Sequence, residues 1–139
     1  MLLFDTSNID ALKDFLYKSC VHDAVVKAMK YYIEEDQLII ELFNSCFNTK
    51  MVFTFCGIEN TFSVKSNLFG SRETVNARET VNALVVEEFS YLQRYIPNYD
   101  LDNKESIYLL FEMFSGDQFH IVCQKLIVEV TNIVRWEGE

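Results

Sequence analysis

Proline occurs once in this 139-residue chain, glycine four times and tryptophan once, and twelve basic residues stand against twenty-one acidic ones. Each scarcity excludes something. So little proline and glycine rules out collagen-like and low-complexity chains. The glycines, Gly57, Gly70, Gly116 and Gly138, are isolated, so the chain has no phosphate-cradling loop of the Walker or dinucleotide type, and enzymes built on such loops are set aside. A formal charge of −9 argues against a nucleic-acid partner, because displacing phosphate counterions requires a positive footprint. No apolar run approaches the roughly 18 residues of a membrane span, and the start, MLLFDTSNID, lacks the basic region of an export signal. The four cysteines, Cys20, Cys46, Cys56 and Cys123, match no zinc or redox spacing. They read as reduced thiols, mostly buried, which places the protein in the cytoplasm with no membrane partner and no cofactor.

What is present is apolar and aromatic. Half the residues are hydrophobic, with twelve Phe and seven Tyr, and the length suits one domain over 1–139. Ile9, Leu12, Phe15 and Leu16 recur at helical spacing behind Ser7 or Asn8 as cap, predicting a helix at about 8–19. From Val25 the text turns β-branched and aromatic: VVKAMKYYI, the acidic turn EED, QLIIELF, the polar link NSCFNTK, then MVFTFC. This is a meander of three strands, broken at Gly57 and Asn60, with ENTFSVKS as a further short strand. Near the end ESIYLLFEMF, the turn Ser115-Gly116-Asp117 and QFHIVCQKLIVEV form the clearest hairpin. In its second strand Phe119, Ile121 and Cys123 share one side, and His120, Val122, Leu126 and Val128 the other. Both faces are apolar, as in a central strand. The strands fall within 24–65 and 105–130, and 66–104 reads as irregular. The fold class is α+β, an N-terminal helix followed by a mainly antiparallel, strongly curved sheet or half-barrel, whose apolar content leaves a homodimer open.

Residues 72–83 spell RETVNA twice. Six residues advance an α-helix by about 600°, about 240° past a whole turn, so Val75 and Val81 could not share a helical face. In a strand, six is even: Val75, Ala77, Val81, Ala83 and Val85 would point one way. A loop would absorb the insertion at little entropic cost. Two copies are too few for a solenoid, so the repeat reads as a duplication tolerated in a loop or at a strand edge.

Catalytic groupings are sparse. His22 with Asp23 would serve as a base and its orienting carboxylate only if the two side chains met, and neighbours on a strand point to opposite faces. His120 and Cys123, three apart on a strand, fail the same test. The reading is therefore a non-enzymatic protein, with a small-molecule-binding half-barrel or a small enzyme using His22 as the alternative. The acids gather in Glu34, Glu35 and Asp36, in Glu87 and Glu88, and in Asp100 and Asp102, beside Tyr91, Tyr95 and Tyr99. Acidic clusters steer basic proteins into contact, and aromatic anchors beside them carry binding energy. These ten residues are the candidate partner-binding set.

The order of a short helix, VHDAVV opening the first strand, MVFTFCGIENTF, and the closing LLFEMFSGDQFHIVCQKLIVEV resembles small bacterial β-rich families with a His-Asp pair at the strand start. Some of them are immunity proteins of contact-dependent-inhibition or polymorphic toxin systems. The likeness spans about 20–65 and 105–130 and has no counterpart for the RETVNA insertion or the rest of 66–104. It implies a non-enzymatic protein that neutralises a cognate toxin, a basic protein, by covering its active site.

Overall fold

The structure, a computed structural model, describes residues 1–65 and 80–133. Its sheet is antiparallel and open: β1 (Leu2–Phe4), β2 (Val25–Tyr32), β3 (Gln37–Asn44), β4 (Thr49–Val64), β5 (Val81–Glu87), β6 (Ile107–Met113) and β7 (Gln118–Asn132), ordered β2-β3-β4-β7-β6-β5, with β1 pairing β7 as well. Helix α1 (Ile9–Lys18) precedes β2, and a four-residue helical turn, α2 (Phe89–Leu92), follows β5. The class is thus α+β. Among the described residues no helix is long and apolar enough to cross a membrane.

Helix α1 takes the predicted stripe, burying Leu12 and Leu16. Its entry is arranged one turn earlier than the sequence suggests. Asp5 accepts a hydrogen bond from Ser7 N at 2.8 Å, and Asn8, at the cap position, turns its side chain back to Asp5 N and Leu3 O. The helix end is tied to the β3–β4 turn by buried Asn44, whose Nδ2 donates to Ser19 O and Cys20 O and whose Oδ1 accepts from Cys46 N, each at 2.8 Å. A run of Phe rings, Phe4, Phe15, Phe53, Phe55 and Phe111, crosses the main core at centroid separations of 5.6 to 6.5 Å, in the range where tilted and edge-on ring pairs attract.

The predicted meander and closing hairpin are present. Two predicted breaks are not. Gly57 and Asn60 do not end the third strand, and no separate short strand follows; β4 runs unbroken for 16 residues beside β7. Gly57 instead turns a corner, at φ +65°, where a Cβ would meet the Gln124 side chain at 2.8 to 2.9 Å. The extra residue Glu59 makes a bulge immediately after. At this corner the buried face changes parity on both strands: Met51, Phe53 and Phe55 lead to Ile58, and Ile121 and Cys123 lead to Leu126 and Val128, while Gln124 and Lys125 are both exposed. Leu126 and Val128 therefore join Phe119, Ile121 and Cys123 in the main core and part from His120, which corrects the uniform alternation read from the sequence.

Residues 81–92, read as irregular, hold β5 and α2. Only Thr80 to Ala83 of the duplication belong to the described residues; Arg72 to Glu79 lie outside them. Val81 is buried, but a bulge between Val81 and Ala83 hands the inward position to Leu84, so Ala83 and Val85 do not continue its face. The end strands β2 and β5 meet at one end: Val25 bridges Thr80, Asp23 N donates to Val81 O at 2.7 Å and Val81 N to Ala24 O at 2.8 Å. The four thiols carry no disulfide. Cys56 and Cys123 are buried, Cys20 is half-buried and Cys46 exposed, and burial pushes the Cys123 thiol up to about 12.

Candidate functional site

On the side of β6 and β7 away from the main core lies a second, smaller apolar cluster: Leu92, Tyr108 and Val122, flanked by Phe62, Phe89, Tyr91, Ile96 and Tyr99. Strand alternation sends Tyr108 and His120 to this face, and the register sets Phe62 of β4 directly beside His120. The segment from Glu88 to Ser106, opened by α2, folds over them as a cover.

His120 is its centre. The ring is fully buried, stacked on Phe62 at 4.3 Å and 9°, with Tyr95 at 4.8 Å and Tyr108 at 5.7 Å. Its two nitrogens have different partners: Nδ1 lies 2.5 Å from the Tyr108 hydroxyl, Nε2 3.1 Å from Gln118 Oε1. Gln118 Oε1 also accepts from the Tyr95 hydroxyl at 3.2 Å. An amide oxygen only accepts, so Nε2 bears the proton and Nδ1 receives the one from Tyr108. The imidazole is thus satisfied as a neutral ring. Burial lowers its pKa to about 4 and raises that of Tyr108, assisted by Tyr91 and Glu87.

The rim of the cover is acidic. The bulge residue Glu59 accepts from the Tyr99 hydroxyl at 2.8 Å and from Asn103 Nδ2 at 3.1 Å, pinning the segment to β4. Burial, with the Glu59 hydrogen bond second, pushes Tyr99 up to about 12. Around this contact Glu59, Asp100, Asp102 and Glu105 line a depression of about 550 Å³. Among the described residues no three His, Cys, Asp or Glu side chains are grouped so as to hold a metal ion. No family model matches the chain, and no curated protein matches its sequence.

Seven of the ten candidate residues thus fall on or beside one cover segment. Glu87 ends β5, Glu88 precedes α2, and Tyr91, Tyr95 and Tyr99 turn toward the His120 cluster, Tyr95 with 37% of its surface exposed. Asp100 and Asp102 lie on the rim, Asp100 Oδ1 accepting from Asp102 N at 2.9 Å. Glu34, Glu35 and Asp36 are elsewhere, exposed in the β2–β3 turn at the other end of the strand order, with Asp36 left-handed at φ +53°. His22 is exposed in the turn before β2. It borders a groove of about 630 Å³ between α1 and β5, beside Lys13 and Tyr17. His120, Tyr108, Gln118 and Glu59 were not in the set. The available signal was a histidine inside the apolar run FHIVC, where a buried ring needs partners from neighbouring strands.

Proposed function

We propose that this is a non-enzymatic binding protein of the toxin-immunity kind, which neutralises a basic protein partner by covering its active site with the face built from residues 87–105 and Glu59. The observation that carries the reading is the composition of that face. Residues 87–105 hold five acids against two bases, and the half-exposed Tyr95 sits among them on a cover fastened at Glu59 and Gln118. A held aromatic anchor inside an acidic rim combines the two parts of a specific interface, fast electrostatic approach and a desolvated centre. The sheet is read as a strongly curved half-barrel; the meeting of β2 and β5 at Val25 and Thr80 supports this. The absence of disulfides among the cysteines accords with work in the cytoplasm.

The test is co-expression with the product of the adjacent reading frame, followed by size exclusion at low salt. A 1:1 complex is expected. Its association rate should fall steeply with ionic strength, and Asp100→Lys with Asp102→Lys should slow association by about tenfold, in line with steering by a charged rim. No complex, or one indifferent to both salt and these reversals, refutes the reading.

A further inference from the structure

The hydrogen bonds around His120 run outward to the surface, and each fixes the next. Tyr108 is buried among Leu92, Val122 and Phe89, and among the described residues its hydroxyl is hydrogen-bonded to His120 Nδ1 alone. The proton of the ring therefore sits on Nε2, bonded to Gln118 Oε1 at 3.1 Å. The same oxygen accepts from the Tyr95 hydroxyl at 3.2 Å, at the surface of the protein. Turning the amide over would face its NH2 to two donors. The ring would then have to take its other tautomer, and the Tyr108 proton would be left in apolar surroundings. The orientation of Gln118 is thus set from inside the protein. With its proton turned toward Gln118, the Tyr95 hydroxyl offers solvent only its lone pairs. We infer that Gln118 is a positioning residue of the partner-binding face, fixing Tyr95 as a hydrogen-bond acceptor, so that the partner meets Tyr95 with a donor, the side chain of a lysine or arginine.

This inference rests on the reading of residues 87–105 as a partner-binding surface and adds the chemistry of one contact. The Tyr95 ring is packed by Phe62 at 5.4 Å and Tyr91 at 6.0 Å, and by His120 beneath it at 4.8 Å. Its hydroxyl is therefore presented in one direction before any partner arrives, which lowers the ordering cost of binding. A hydrogen bond with Tyr91, ahead of burial, raises the Tyr95 pKa, so the proton stays on the phenol. The neighbouring base, Arg94, is stacked over the Tyr91 ring at 4.9 Å. Glu59, Asp100 and Asp102 on the nearby rim favour a charged donor over a neutral one, and charge-assisted hydrogen bonds are the stronger kind. An acceptor on the partner would instead have to draw the Tyr95 proton away from Gln118.

A double-mutant cycle on the complex with the product of the adjacent reading frame tests it. Tyr95→Phe keeps the ring, removes the hydroxyl and should weaken binding about tenfold. Gln118→Met, neutral and without a strong acceptor, should weaken it about threefold in the wild-type background. Beside Tyr95→Phe it should cost nothing further, whereas a merely structural role for Gln118 would add its cost in both backgrounds. Gln118→Glu accepts both bonds and should retain binding. Circular dichroism checks that each variant folds. In the free chain, imidazole nitrogen NMR at neutral pH should place the His120 proton on Nε2. Additive losses, full affinity in Tyr95→Phe, or a proton on Nδ1 overturns the inference and leaves the proposed function standing; the absence of any complex overturns both.

Discussion

His120 is the residue whose surroundings say most about this chain. Its partners Tyr108 and Gln118 suit only the neutral ring, and full burial disfavours charge. The sign of the pH dependence follows. Between the ordinary histidine value of 6.5 and the folded value of about 4, the unfolded chain binds a proton that the native protein refuses. Stability should therefore fall as pH drops through this window, by about 3 kcal/mol at 1.36 kcal/mol per unit, and be unaffected by His120 above it. Urea denaturation at pH 7 and pH 4.5 measures the loss, and NMR titration assigns it. A His120 resonance titrating near 6.5 would refute the argument. That a histidine stood in apolar strand text was legible at once. Its neutrality was not, because Gln118 lies two residues away on the same strand but Tyr108, twelve residues away, reaches it only through the folded β6–β7 hairpin.

Elements obeyed their sequence patterns where one face was simply buried. Helix α1, the β2–β3 and β3–β4 hairpins and the β6–β7 hairpin all carry periodicities that local sterics and a single core suffice to select. The patterns misled at corners. Gly57 reads as a strand end because glycine weakens a strand, yet neighbouring pairs with β3 and β7 hold the chain extended on either side of it. Gly57→Ala should lower stability by about 1–3 kcal/mol, since it combines a left-handed backbone with contact against Gln124. Thermal unfolding of the variant measures this, and an unchanged midpoint would mean the corner relaxes freely. β5 went unread because its bulge spoils the alternation across Val81, Ala83 and Val85, the residues in which the duplication had suggested a regular face.

At the scale of the whole molecule, one sheet carries two apolar clusters of unequal size, the larger joined by α1 and the smaller by residues 88–106. Truncations in the two should behave differently. Phe53→Ala, in the fully buried Phe run, should cost about 3–5 kcal/mol in global unfolding. Leu92→Ala should first release hydrogen-exchange protection in 89–103 while β3, β4 and β7 stay protected, because little besides that small cluster, Glu59 and Gln118 holds the cover down. Equal loss of protection everywhere would show instead that the cover and the sheet form one cooperative unit. Composition and period-two text alone determined that the chain folds, that it is mainly antiparallel sheet with an N-terminal helix, and that acids and tyrosines crowd residues 87–102. Those properties depend on neighbours close in the chain. Which acids share a surface, why Glu34 to Asp36 stand apart from the rest, and how His120 is held neutral were decided by tertiary structure. They rest on pairings such as Phe62 with His120 and Glu59 with Tyr99, contacts between residues 58 and 40 positions apart that no local pattern encodes.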